Sequence, residues 1–431
     1  MIILWAVSLA AIITVGVQLS SHRQSTLGRD ALERVQARWA ARSGVEQTIA
    51  VMHLHTERPD PEDSFAMVRE MEYVAFGNTV GASWDIRHFA HGREWPGPMD
   101  EHSKMNINTI DMPLLMVLDN MWLDIADAIL EWRSPDYESM GLGVGRDYYL
   151  SLNPPYEQRK DRYQNIAELE LVAGIWPKHL RGEDWNLNGR LDANENDGTM
   201  TFPPDNQDGI LDAGWSASLT ATSVAGGATT SGLPRIHLAK AKIADVMERL
   251  EIEERQAKAL IRFGRNEESK LEQLLVTPIG NIDAQGRASQ SPYNTAMPDL
   301  TPVQLRAVFD ELTLIDPLDR PSGKMNINTV SADLFRRILL DIYMTEPVVA
   351  DEILYMRDSR TEGLLSLADL KEIPEVSPEL LVQLGAMFDT RSNVYTISSK
   401  GRSMSTGAEV EIVVVVDRST IPVRILEYRE Q

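Results

Sequence analysis

The hexapeptide Lys-Met-Asn-Ile-Asn-Thr stands at Lys104–Thr109 and again at Lys324–Thr329. An identical repeat of this length marks either a duplicated binding element or a duplicated structural joint. Its asparagines can hydrogen-bond nearby backbone, and Thr109 and Thr329 are placed to N-cap the helices that follow. The first copy leads into PLLMVLDNMWLDIADAILEWRS and on to NIAELELVAGI at Asn165–Ile175. The second leads into DLFRRILLDIYMTEPVVADEILYMRDS and on to SLADLKEIPEVS at Ser366–Ser377. A middle stretch, Pro234–Asn266 followed by LEQLLVTPIG, keeps the order of elements without the hexapeptide. Each unit reads as an extended lead-in, a helix, a short link, a second helix ending in arginine and a further short helix. This is the plan of helix-hairpin-helix or sterile-alpha-motif-like modules.

Hairpin modules that bind DNA bring glycine-rich backbone amides up to phosphate. The links here, DNMWLD, LEIEER and DIYMTEP, are acidic and free of glycine. The 431-residue chain carries 64 acidic against 42 basic residues, a net charge of −22, whereas a nucleic-acid binder needs a basic footprint. The repeat is therefore read as a structural joint, and no nucleic acid is expected as a partner. Cysteine is absent, which removes disulfides, thiol catalysis and cysteine-ligated zinc.

Outward from the repeats, the two ends of the chain set the frame. Met1–Ser21 is uncharged and dominated by Ile, Leu, Val and Ala, long enough to cross a bilayer as a helix. A cleaved signal would show a basic start, a shorter apolar core and a small-residue junction. Instead the helical pattern continues through Leu27, Ala31, Val35, Trp39, Val45, Ile49 and Met52, with no proline before Thr56. Glu72–Val80 and Ala82–Ala90, joined at Gly81, read as a β-hairpin, and Asn393–Gly401, Glu409–Asp417 and Pro422–Glu430 as three more strands.

The expected fold is α+β: a long N-terminal membrane-spanning helix packed on a small antiparallel sheet, which a large helical insertion interrupts. The expected organisation is a transmembrane and amphipathic helix over 1–58 and the first part of an α/β domain over 59–102. A helical unit with an acidic loop segment covers 103–232, further helical units 233–322 and 323–392, and closing strands 393–431.

Asp184–Glu195, DWNLNGRLDANE, matches the calcium loop of an EF-hand at every coordinating position. Asp184, Asn186 and Asn188 stand at positions one, three and five, Gly189 makes the turn at six, and the Arg190 carbonyl serves at seven. Asp192 stands at nine, and Glu195 can give two oxygens at twelve. A second stretch, Pro203–Gly214, half-matches: Asn206, Asp208 and Asp212 fall at positions three, five and nine, while Pro204 and Trp215 cannot ligate at one and twelve. Asp205 is the residue that could substitute. Ca2+ is the implied ion, held as a staple rather than a sensor, because no paired helices flank the loops. GLGVG at Gly141–Gly145 lacks the Lys-Ser/Thr of a phosphate loop and reads as flexible linker. His53–His55 lacks a third metal ligand. No serine elbow, HExxH or kinase motif set occurs, and the chain reads as non-enzymatic.

Taken together, these features resemble the K-type minor pseudopilins of bacterial type II secretion systems. The resemblance rests on MIILWAVSLAAI, on ARSGVEQTIAVM at Ala41–Met52, and on MNINT before a leucine-rich helix. Its most specific part is DYYLSLNPPYEQRKDRYQNIAELELVAGI at Asp147–Ile175, and the closing VRILEYRE fits as well. It implies a pseudopilin fold anchored in the inner membrane with its globular part in the periplasm. It also implies a place near the pseudopilus tip, with I- and J-type minor pseudopilins as partners and secreted substrates as further ones. The family is known to bind calcium, and its K type lacks the Glu other pseudopilins carry at mature position five. Trp5 agrees if Met1 is the mature start. No basic leader ending in Gly precedes Met1, which leaves a processed chain or a truncated start. Two other readings are a membrane-anchored calcium-dependent binding module of dockerin or adhesin type, and a DNA-uptake pilus component using its hairpin units.

Overall fold

The computed structural model describes residues 2–60, 63, 65–289, 291–316, 319 and 321–431. Helix α1 runs unbroken over Ile2–Glu57. Its apolar first part is long enough to cross a membrane and none of it is buried against the rest of the chain. The second part buries Ala37, Ala40, Ala41, Gly44, Val45, Thr48, Val51 and Met52 along one face, at the spacing of a helix laid on a flat surface. Of the apolar positions expected from sequence, Val45 and Met52 are buried and Ile49 half-buried, whereas Leu27, Ala31, Val35 and Trp39 lie on the exposed side. Where the helix comes closest to the sheet, its packed face is made of small residues. The reason is distance: Gly401 passes so close that a Cβ there would stand 1.9 Å from the Ala37 carbonyl oxygen. Gly44 is pressed in the same way against Trp84 and Ser399, and Ser399 Oγ donates to the Ala41 carbonyl at 2.8 Å.

Helix α2 (Ala66–Tyr73) follows, then strands β1 (Phe76–Thr79), β2 (Ala82–Ala90), β3 (Arg93–Pro96) and β4 (Met99–Asp100). The hairpin turns at Gly81 as expected, with φ +80°. Its first strand is shorter than expected because Glu72 and Tyr73 complete α2.

The chain then leaves the sheet. Three two-residue parallel pairs close three helical segments. β5 (Met105–Asn106) pairs with β6 (Leu219–Thr220), β7 (Ile236–His237) with β8 (Leu312–Thr313), and β9 (Met325–Asn326) with β10 (Phe388–Asp389). It returns as β11 (Val394–Ser403), β12 (Glu409–Asp417) and β13 (Arg424–Glu430). The sheet order is β1-β2-β11-β12-β13, with β3 on β2 and β4 on β11, and every pairing in it is antiparallel. Thus β2 and β11, distant in sequence, are hydrogen-bonded neighbours, and α1 covers them with Trp84, Ile86, Ile397, Ile412 and Val414 in the core between. A second core joins the first and third helical segments through residues such as Leu115, Ile129, Phe335 and Phe388. A third core, around Leu260 and Phe263, belongs to the middle segment.

The repeated hexapeptide builds the same joint twice. Asn106 Nδ2 donates to Ser223 Oγ at 2.8 Å and Asn326 Nδ2 to Ser392 Oγ at 2.8 Å. Asn108 binds the backbone of Tyr163 with both ends of its amide, and Asn328 does the same with Leu364. An arginine from the following long helix then takes two carbonyls. Arg133 binds those of Ile107 and Ile110, and Arg357 those of Ile327 and Val330. The expected threonine caps are corrected. The caps are Asp111 and Ser331, which accept from the amides of Leu114 and Leu334. Thr109 Oγ1 donates to Asn106 O and Thr329 Oγ1 to Asp100, because two residues of extended chain still separate each joint from its helix.

Two predictions follow from this packing. Gly401→Ala forces α1 off β11 and lowers stability by about 3 kcal/mol in urea unfolding, the cost of overpacking against rigid backbone. His88 on β2 donates from Nδ1 to the Gly97 carbonyl at 2.9 Å, and burial lowers its pKa from 6.5 to about 4. The unfolded chain takes this proton first as pH falls. The stability tied to neutral His88 is therefore whole above about pH 6.5 and lost toward pH 4. His88→Asn, which keeps the donor and cannot titrate, shows a smaller fall in thermal midpoint across that window.

Candidate cation loop and its seat on the sheet

The short helix Pro177–Arg181 ends at Gly182, and the chain enters Asp184–Glu195 as a closed loop. Asp184 accepts from the Asn188 amide at 2.9 Å through one oxygen and from the Gly189 amide at 3.0 Å through the other. Asn186 Oδ1 accepts from Asn188 N at 3.1 Å and Asn188 Oδ1 from Arg190 N at 2.8 Å. Gly189 makes the turn at φ +69°, a backbone conformation that favours glycine. Glu195 reaches back so that its two oxygens accept from Trp185 N at 3.1 Å and Asp192 N at 3.0 Å. Asp192 Oδ2 holds the amides of Asn186 and Asn188 at 3.0 and 2.9 Å. The structure thus brings together Asp184, Asn186, Asn188, Arg190, Asp192 and Glu195, the six residues expected for the first loop.

Its charges are under strain. Asp184, Asn188 and Glu195 are 3%, 1% and 2% exposed. Burial pushes the Asp184 carboxyl up to about 6, against the pull of its two amides and of Lys104. Burial also pushes Glu195 up to about 8, with the charges of Asp184 and Asp192 adding to it. Burial acts on Asp192 too, but Lys400 outweighs it and holds that carboxyl below its ordinary value. Among the described residues no three His, Cys, Asp or Glu side chains alone converge as a metal cluster. The donor set here is mixed: carboxylates, asparagine oxygens and a carbonyl, the hard-oxygen chemistry that suits calcium. Buried carboxylates of raised pKa among such oxygens fit a divalent cation.

The loop does not stand alone; it is seated on the sheet. Phe89 N on β2 donates to Gly189 O at 2.6 Å. The Arg190 guanidinium binds the carbonyls of Asp85 and Ser398, and Lys400 Nζ on β11 binds Asp192 Oδ1 at 2.5 Å. Glu411 on β12 takes the Asn188 amide at 3.0 and 3.1 Å, and Arg429 on β13 binds the carbonyls of Asn186 and Leu187, both at 2.9 Å.

The second acidic stretch is arranged differently from its expected register. Asn206 and Asp208 meet, at 3.0 Å between Nδ2 and Oδ2. Asp212 makes no hydrogen bond with either among the described residues; its carboxylate accepts from Gly214 N, and its backbone pairs with Glu183. Asp205 is the centre, accepting from the amides of Asp197, Gly198 and Gln207. Glu183, 9% exposed and raised by burial, and Asp197, bonded to Thr201, complete the group. Sequence reasoning missed both, and Gly198 just after Asp197, at φ +78°, is the turn signal that could have found the latter.

Of the weaker motifs, GLGVG is no loose linker. Buried Asp127 collects Tyr137 Oη, Ser139 Oγ and the amides of Met140, Leu142 and Gly143. The glycine-rich stretch wraps an anion, but the anion is the chain's own carboxylate. His55 pairs with Glu70 at 2.7 Å where α1 meets α2.

Residues 114–182 match the model of the family described as type II secretion system (T2SS), protein K. That stretch is what the chain shares with the protein K family. A solved GspK-GspI-GspJ complex from the type 2 secretion system of enterotoxigenic Escherichia coli contains a chain similar to this one at 12% identity. The alignment covers 94% of this chain and 99% of that one, with a TM-score of 0.48. No curated protein matches by sequence. The matched segment ends just short of Asp184, so the cation loop lies outside it.

Proposed function

We propose that this chain belongs to the protein K family and is a non-enzymatic minor pseudopilin that caps the tip of the type II secretion pseudopilus. The observation that carries this is where the protein K domain sits: inside an insertion between β4 and β11 of a sheet that a membrane-length helix covers. The apolar part of α1 anchors the chain in the inner membrane, and the globular part stands in the periplasm. The exposed side of α1, with Leu27, Leu32, Val35 and Trp39 outward, is the surface offered to I- and J-type minor pseudopilins. The helical units, of helix-hairpin-helix-like plan, are packing modules, since their second helices end in arginines that bind backbone of their own joints.

We further propose that calcium occupies the first loop, held by Asp184, Asn186, Asn188, the Arg190 carbonyl, Asp192 and Glu195. A second ion belongs to the group around Asn206 and Asp208, where Asp205 takes the place expected of Asp212. Calcium supplies positive charge to buried carboxylates; the chain's own residues do the rest by fixing the loop.

Coexpression with I- and J-type minor pseudopilins yields a copurifying complex, and a chain that stays monomeric beside them ends the tip assignment. Calorimetry shows calcium binding that Asp184→Asn or Glu195→Gln weakens at least tenfold. Saturating calcium at about 100 Kd raises stability by about 2.7 kcal/mol, and a chelator reverses the gain. A wild-type melt indifferent to calcium sinks the metal assignment.

A further inference from the structure

The sheet carries a ready-made receptor for the loop. Lys400 on β11 and Glu411 on β12 are direct cross-strand partners, and each reaches a different candidate ligand. Glu411, 6% exposed, accepts from the Asn188 amide, Ser398 Oγ and Gln431 Nε2. With Nδ2 of Asn188 held this way, Oδ1 is the atom left facing the loop's own backbone. Lys400 does the opposite kind of work. It places an ammonium on Asp192 Oδ1, while Oδ2 is occupied by two amides. Asp192 is therefore a ligand with a competing cation tethered to it.

Resting on the calcium reading above, we infer that Lys400 and Glu411 are positioning residues that couple ion binding in the loop to docking of the helical insertion on the sheet. Glu411 orients Asn188 for the ion, and Lys400 competes with the ion for Asp192 and so sets a weak affinity. Outer partners of this kind change metal affinity by roughly tenfold or more. The two substitutions act with opposite sign. Glu411→Gln loosens Asn188 and weakens calcium, whereas Lys400→Met removes the competitor and tightens it. A general loss of docking moves both the same way.

The test uses the full chain in detergent, with calcium chloride as titrant in calorimetry and amide hydrogen exchange as second readout. Lys400→Met binds calcium about tenfold more tightly than wild type and Lys400→Arg does not, while Glu411→Gln binds roughly tenfold more weakly. Calcium slows exchange of amides at 85–89, 398–400 and 409–413 in wild type, and less so in Glu411→Gln. Unchanged affinity in Lys400→Met and Glu411→Gln, or shifts of the same sign, overturns the coupling while leaving the calcium reading intact. A wild-type chain that binds no calcium overturns both.

Discussion

Two adjacent buried carboxylates hold the insertion to the sheet. Where β4 ends, Asp100 accepts from Thr329 Oγ1 and Ser392 Oγ, and Glu101 accepts from Thr220 and Thr396. Those four hydroxyls come from the first joint, the last joint, the returning chain and β11 itself. Burying two carboxylates is costly unless each lone pair finds a donor. Burial raises Asp100, even against His102 and its hydroxyl donors. At Glu101 the pull of Lys104 and the threonines outweighs burial and holds the group below its ordinary value. The neighbouring His102 ring completes the knot by bonding Lys324 O at 2.9 Å. Through these few residues the first hexapeptide, the second hexapeptide and the sheet are fixed to one another.

This explains why the hexapeptide opens the first and last helical segments of the insertion and not the middle one. Closing a long loop costs little more than closing a moderate one, because the entropy grows with the logarithm of length. A large insertion is therefore tolerable, but its exit must be brought back to its start in register. Asparagine suits that task because one amide can satisfy a donor and an acceptor of another chain segment at once. Asn108 and Asn328 do so with Tyr163 and Leu364. The middle segment touches the sheet less directly and closes with Ile236 and Leu312 over an apolar core, where no asparagine is needed.

Much of this was legible in the sequence. The uncharged start of α1, the alternating strands at both ends and the duplicated KMNINT each carry a local physical signature, and so does the closed turn that gathers the first loop's six candidate residues. What escaped had no such signature. A two-residue parallel strand has no periodicity to read, so the caps were placed at Thr109 and Thr329 instead of Asp111 and Ser331. The packed face of α1 is only half legible: Val45 and Met52 carry the apolar pattern into the core, but contact with Gly401 and Trp84 demands Ala and Gly, which bulk does not signal. Glu183, Asp197 and the wrapping of GLGVG around Asp127 depend on chain segments meeting in space, which spacing along one segment does not encode.

The position of the first acidic loop then has a mechanical meaning. The insertion is tied at its neck by Asp100 and Glu101, with a further contact where Asn165 donates to Glu427 on β13. Asp184–Glu195 touches β2, β11, β12 and β13 through five separate side chains or amides, away from the neck along β11. Two separated attachments define an axis that one does not. Much of the second attachment is made by charged groups, Lys400, Glu411 and Arg429, whose partners are residues of the loop. The angle of the insertion on the sheet is thus held by polar and charged contacts rather than by apolar area. The apolar cores of the insertion are already spent within it.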